Sequence, residues 1–228
     1  METAPRGQIT TATTLVLTNA VYFNAAWQRP FEPSGTHDGT FTRLDGTSVT
    51  VPMMFQNVPH SYGEGDGFQE VELRYEAPEL SMLVVLPDAG RFDEIEVSLS
   101  ASRYAEYESA LTEHTVTVTL PKFEYESPFS LNDWLIALGM TDAFEPITAD
   151  FSGMDGTRDL YISAVFHKAF IHVNELGTEA AAATAVIVDR VSVPEPAEIT
   201  VDRPFLFFIV DHPTGEVLFI GRVLDPSP

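Results

Sequence analysis

Three groups of side chains in this sequence have types and spacings that invite chemistry. His167, His172 and Glu175 bring two imidazoles and a carboxylate close together along the chain, a donor set that binds zinc when all three converge. They lie in DLYISAVFHKAFIHVNE, which reads as a long strand, and side chains on a strand alternate between its two faces. By that alternation His172 points away from both His167 and Glu175, and no metal triad forms. The stretch YGEGDGFQE carries Gly63, Gly65 and Gly67. A phosphate cradle needs backbone amides and cations at the start of a helix. This stretch carries Glu64 and Asp66 and leads into a strand pattern, so it reads as a hairpin turn. Serine, histidine and aspartate all occur, but without the Gly-x-Ser-x-Gly elbow that presents a nucleophile. Cysteine is absent, which removes thiol nucleophiles, thiolate metal sites and disulfides. The sequence offers no enzyme site, no metal site and no cofactor site.

Polar residues on apolar strand faces have a stronger claim. In TTLVLTNAVYF, Asn19 shares the face of Leu15, Leu17 and Val21 and is buried if that face is. His167 shares the face of Ser163, Val165 and Ile171 in the other long strand. Buried polar groups must find partners, and two adjacent long strands supply them to each other. One reading is a satisfied structural hydrogen bond; the other is a latch between strands that part. Periodicity does not choose between them.

A different kind of chemistry is written into ELGTEAAAATAVIVDR, residues 175–190. Its four consecutive alanines favour helix, and the Val-Ile-Val that follows favours strand. Drawn out as a strand, one face shows Thr178, Ala180, Ala182, Thr184, Val186 and Val188, uncharged and small at its leading end. The other carries Glu179 and Asp189 among apolar residues. Such a segment can slide between two existing strands without burying a charge on the first face. By propensity alone it is a short surface helix.

The elements that must position these residues follow from composition and pattern. A chain of 228 residues can bury a full core, and its length suggests one domain, 1–228. Lys+Arg number 12 against 34 Asp+Glu, a net charge of -22, and Lys122 and Lys168 are the only lysines. Phosphates are repelled by such a balance, which argues against nucleic acid and anionic membranes as partners. The longest clean apolar run, residues 205–210, is far too short to span a bilayer. METAPRGQIT has no basic-then-apolar signal pattern.

TTLVLTNAVYF has apolar residues on both faces and reads as a strand in the middle of a covered sheet. TFTRLDGTSVTVPMMF carries a Leu-Asp-Gly-Thr hairpin signal, and FQEVELRY and LSMLVVLPD follow as strands. Residues 91–113 turn helical, with Tyr104, Tyr107 and Leu111 on one stripe. HTVTVTLPKFEYE returns to alternation. SPFSLNDWLIALGM predicts a helix capped by Ser127, with Pro128 in its first turn, a stripe of Leu131, Trp134, Leu135 and Leu138, and a stop at Gly139. VDRPFLFFIVDHPTGEVLFIGRV closes the chain as a hairpin turned at Pro-Thr-Gly. The sum is an α+β fold, mostly β with a few helices.

TLVLTNAVYFNAAWQRPF, VPMMF, LPKFEYES, HKAFIHVNELGTEAAAATA and VDRPFLFFIVDHPTGEVLFIGRV, in that order, together resemble the serpins, the serine protease inhibitors. The resemblance implies parts of sheets A, B and C, with TTLVLTNAVYF as the third strand of sheet A and DLYISAVFHKAFIHVNE as its fifth. Residues 177–196 would be the exposed reactive centre loop, with a hinge of Gly177, Thr178, Glu179, Ala180, Ala181, Ala182 and Ala183. Glu175, Lys122 and Trp27 would lie at the breach, where insertion begins, with Lys122 and Glu175 as an ion pair. Asn19, Ser163 and His167 match the shutter cluster that controls strand parting, which favours the latch reading.

The implied mechanism is that of a suicide substrate. A protease cleaves the loop, the loop inserts into sheet A, and the acyl-enzyme is trapped by a metastable fold falling to a more stable one. Taking Glu175 as the seventeenth residue before the cut places the bond at Val191-Ser192, suited to elastase-like or subtilisin-like proteases. A loop one residue shorter gives Arg190-Val191 and a trypsin-like target. No cofactor is implied, and the family expectation is an extracellular inhibitor. The family's N-terminal helices and first two sheet A strands have no counterpart here, so the chain resembles the C-terminal part of an inhibitory serpin, N-terminally truncated. The alternative is a non-inhibitory serpin-like binding or structural module.

Overall fold

The computed structural model describes residues 9–11, 13–178 and 195–227. In chain order, β1 (Leu15–Tyr22) and the two-residue β2 (Ala25–Ala26) precede a 3-10 turn at Pro33–Gly35. Then come β3 (His37–Thr42), the long β4 (Ser48–Gly65), β5 (Phe68–Arg74) and β6 (Leu80–Pro87). Helices α1 (Phe92–Val97) and α2 (Ala101–Ala110) lead to β7 (Thr112–Pro121) and β8 (Phe123–Ser130). After α3 (Asn132–Ala137), a 3-10 turn at Asp142–Phe144 and α4 (Ser152–Asp155) comes β9 (Ile162–Asn174). The chain ends with β10 (Gly177–Thr178), β11 (Pro196–Thr200), β12 (Phe205–Asp211) and β13 (Glu216–Val223). It is α+β and mostly β, as the patterning predicts.

The chain divides into two compact units, Met1–Phe23 with Tyr125–Ile171, and Asn24–Glu124 with His172–Pro228. The larger unit is built on an eight-stranded sheet in the order β11-β7-β4-β5-β6-β12-β13, with β3 paired to β4. Its hairpins sit where the turn residues put them. At Leu-Asp-Gly-Thr, Asp45 Oδ1 accepts the Thr47 amide at 2.9 Å. The β12–β13 pair closes at Pro-Thr-Gly, as predicted. Helices α1 and α2 cover one sheet face, where Phe68, Leu83, Val85, Leu206, Phe208 and Val210 meet Phe92, Ile95 and Tyr107. The helical pattern over residues 91–113 is cut in two because Ser100 takes an extended conformation and its side chain caps α2, accepting from the Arg103 amide.

In the smaller unit β1 pairs in parallel with β9, Leu15–Tyr22 against residues 162–170, and β8 also pairs with β9. Two expectations fail here. β1 is not the middle of a sheet: among the described residues it pairs with β9 alone, and Leu17 and Tyr22 are 43% and 50% exposed. Its apolar residues on both faces report a propensity for strand, while the coverage they suggest is not supplied by the described residues. The helix of residues 127–139 is also shorter than predicted. Ser127 and Pro128 belong to β8, and α3 begins only at Asn132, without a side-chain cap. The chain is held extended up to that point by hydrogen bonds to β9: the Leu131 amide donates to the Val165 carbonyl at 2.9 Å. Asn132 then clamps β9 through Ser163 O and the Val165 amide, at 3.1 and 2.8 Å. Trp134 and Leu138, the intended stripe, are 71% and 84% exposed.

Candidate functional site

The segment read as a hinge leaves β9 by a two-residue turn. Asn174 ends the strand, Glu175 and Leu176 reverse it, and Gly177 and Thr178 run back as β10. Asn174 makes the turn with its own side chain, whose Oδ1 accepts the Leu176 amide at 2.9 Å. β10 is paired on both edges. Gly177 and Thr178 lie opposite Asn174 and Val173 of β9 on one side, and opposite Ala26 and Ala25 of β2 on the other. Both ladders are antiparallel. The turn is tied down further by the Trp27 and Phe31 amides, which donate to the Leu176 and Glu175 carbonyls at 2.9 Å each. The Trp27 indole donates to the Asn174 carbonyl at 3.0 Å.

Gly177 is demanded by this packing. Its φ is 152°, and a Cβ there would lie 2.3 Å from the Ala25 carbonyl oxygen and 2.7 Å from the Ala26 Cα. These are main-chain atoms that cannot step aside, so only glycine fits. Thr178 is fully buried. Its Oγ1 is 2.8 Å from the Tyr75 hydroxyl, and the Tyr75 ring stacks on Trp27 with centroids 4.6 Å apart and planes 11° from parallel. Burial pushes the Tyr75 phenol far above its ordinary range, against the lowering effect of the Thr178 hydrogen bond. Tyr75 therefore stays a neutral hydroxyl.

Glu175 and Lys122 pair at 2.9 Å through Oε2 and at 3.2 Å through Oε1. Thr36 adds a hydroxyl donor to Oε1 at 2.8 Å. Burial would raise the Glu175 carboxyl, but the hydrogen bonds from Lys122 and Thr36 outweigh it and hold it below its ordinary value. Trp27, Lys122, Glu175, Gly177 and Thr178 thus come together in the larger unit. Sequence reasoning missed Tyr75 and Thr36. Tyr75 carried a signal, since it shares the face of Val71 and Leu73 in FQEVELRY, and a buried tyrosine needs a partner for its hydroxyl. Thr36 carried none.

The other predicted residues fare differently. Asn19 and His167 are directly opposed in the β1–β9 register, but Asn19 is exposed. Among the described residues no hydrogen bond joins their side chains. His167 stacks its ring on Phe129 at 6.2 Å. Ser163 Oγ accepts the Thr14 amide at 3.0 Å. Glu179, Ala180, Ala181, Ala182, Ala183 and the bonds at Arg190, Val191 and Ser192 lie outside the described residues. The site holds no nucleophile poised by a base. What it does chemically is hold a strand end between two others.

Comparison with known proteins gives this arrangement a family. A model described as Serpin (serine protease inhibitor) matches residues 2–226, and the chain belongs to the serpin family. An uncharacterised serpin-like protein of Thermococcus kodakarensis is 44% identical over 94% of this chain and 50% of its own length. Plasminogen activator inhibitor 1 of Neovison vison is 41% identical over 97% of this chain and 56% of its own. The crystal structure of native protease nexin-1 with heparin superposes with a TM-score of 0.84 at 34% identity, covering 99% of this chain and 60% of that one. The chain spans about half the length of the curated relatives it matches. The family is one of protease inhibitors rather than enzymes. Among the described residues, no helix is long and apolar enough to cross a membrane.

Proposed function

We propose that this chain carries the loop and the receiving strands of a serpin-type inhibitor of serine proteases. A protease would cleave at Val191-Ser192, or at Arg190-Val191, and the freed segment from Gly177 would follow its own first two residues into the sheet while the acyl-enzyme is trapped. The observation that carries this reading is the pairing of Gly177 and Thr178 on both edges, to β9 and β2. A strand that enters between two others must begin in that geometry, and its uncharged face places Thr178 at the buried end. The Glu175–Lys122 pair and the Trp27–Tyr75 stack support it by fixing the turn. The favoured target is elastase-like or subtilisin-like, with a trypsin-like protease if the cut falls after Arg190, and the site of action is extracellular.

Incubation with elastase, subtilisin and trypsin tests this directly. The expected product is a complex with one of them that survives denaturing electrophoresis, with loss of protease activity. Cleavage of the loop with full protease activity surviving overturns the reading. It would favour the second one, a non-inhibitory serpin-like module, for which the half-exposed β1 speaks. The two also differ in a thermal melt before and after loop cleavage: an inserting segment raises the melting temperature, and a passive one leaves it unchanged.

A further inference from the structure

We infer that Tyr75 is the positioning residue of the hinge, and that its hydroxyl holds Thr178 in the sheet so that strand insertion starts from a docked end. This rests on the inhibitor reading for its consequence, not for its geometry. Tyr75 directly follows β5, bridged to Trp27 and outside both strands that flank β10. Its backbone is fixed by main-chain bonds to residues outside the hinge segment. The Tyr75 amide donates to the Leu80 carbonyl at 3.0 Å, and the flanking Gln28 and Glu76 amides donate to Arg74 and Ala26 carbonyls at 2.9 and 2.8 Å. Trp27 stacks along one face of its ring, so contacts outside β10 help to aim the hydroxyl. The hydroxyl then meets Thr178 Oγ1 at 2.8 Å, with both residues fully buried.

At Thr178 the main-chain ladders read no side chain, and the side-chain hydroxyl is what discriminates at this position. The hydrogen bond between these two buried hydroxyls is made only with the hinge docked, so it favours the docked hinge over an undocked one. When docking is loosened, the cut segment has to find the sheet again before it can insert, and the acyl-enzyme gains time to hydrolyse. The hydroxyl pair therefore favours trapping over turnover.

The test is a double-mutant cycle read by amide hydrogen exchange on the uncleaved chain, which needs no protease. Tyr75→Phe keeps the ring on Trp27 and removes the hydroxyl; Thr178→Val keeps the shape and removes the other; Thr178→Ser keeps the bond. Each of the first two is expected to speed exchange at the β10 amides roughly two- to tenfold. The double variant should be no faster than the faster single one, Thr178→Ser should match the parent, and β6 amides serve as the internal control for folding. Unchanged exchange in both singles, or effects that multiply in the double, overturns the inference. Trapping of protease by the parent chain is scored separately: if it fails, the inhibitor reading falls, and the exchange cycle still decides the role of Tyr75. If the parent traps, Tyr75→Phe and Thr178→Val should each raise the number of chains consumed per protease trapped.

Discussion

At the hinge, Thr178, Tyr75 and Trp27 are buried against one another, Glu175 has two side-chain partners, and Gly177 sits where no other residue fits. Along β1 and its partner stretch of β9, the contacts are of another kind. Main-chain pairing runs from Leu15 to Tyr22, but Leu17, Asn19 and Tyr22 are exposed, and Asn19 and His167 face each other without a side-chain bond among the described residues. One region is specified by side chains, the other mainly by backbone, with the Tyr22–Phe170 stack and the Thr14–Ser163 bond added to it. A ladder held mainly by backbone can re-form with a new partner, since any strand offers the same amides and carbonyls. A region held by side chains recognises one sequence. For a protein proposed to take its own segment into a sheet, the selective contacts belong where the segment starts.

The comparison breaks most severely at Gly177. Gly177→Ala forces a Cβ into the Ala25 carbonyl and strains a backbone at φ 152°, which costs about 3 kcal/mol of hinge docking. Amide exchange at Thr178 should then approach that of an unpaired residue. If protection there is unchanged, the hinge is not held by close main-chain contact, and the contrast with β1 fails.

Acid and base sharpen the contrast next, through two glutamates of the larger unit. Glu70 is fully buried, and burial pushes its carboxyl up to about 8, against the lowering effect of Arg103. The folded chain therefore keeps a proton that the unfolded chain releases near 4.5, and stability falls as pH rises from 4.5 to about 8. Glu70→Gln should flatten that slope and stabilise the chain by about 2 kcal/mol at pH 8, measured by denaturant unfolding. An unaltered slope would mean that Glu70 is not the group titrating.

Glu175 works the other way. Its carboxyl is held below 4.5 in the folded chain, so its contribution is present above 4.5 and is lost as pH falls through the folded value. Measured in the Glu70→Gln background, Lys122→Met should cost about 1 kcal/mol at pH 7, since Lys122 is about a third exposed and water screens the pair. The loss should shrink in acid. A cost independent of pH would assign Lys122 a packing role instead.

How much of this was legible in the sequence depends on whether local or tertiary forces decide. The hairpins at Leu-Asp-Gly-Thr and Pro-Thr-Gly are local, and turn residues announced them. The parity of ELGTEAAAATAVIVDR put Thr178 on an uncharged face, and Thr178 is buried. Failure came where a ladder overrode propensity: Ser127 and Pro128 make a good helix start but are drawn into β8 by pairing with β9. Exposure was misjudged for Asn19 because a pattern of apolar residues says what a face can bury, not what lies against it. Tyr75 went unnoticed because its partner is 103 residues away in sequence, and no periodicity reaches that far.

The smallest predicted effect is the most exposed to refutation. Asn19→Ala removes an exposed side chain from the β1–β9 ladder and should change stability by less than about 0.5 kcal/mol. His167→Ala loses the stack on Phe129 and should cost about 1 kcal/mol, consistent with one aromatic contact. Because Asn19 and His167 are opposed but not bonded, the two effects should add in the double variant. A coupling above about 1 kcal/mol, read from urea unfolding of the four variants, would mean that the two side chains do latch the strands. Side chains would then hold the β1–β9 ladder as they hold the hinge, and opening it would select for sequence as well as for strand.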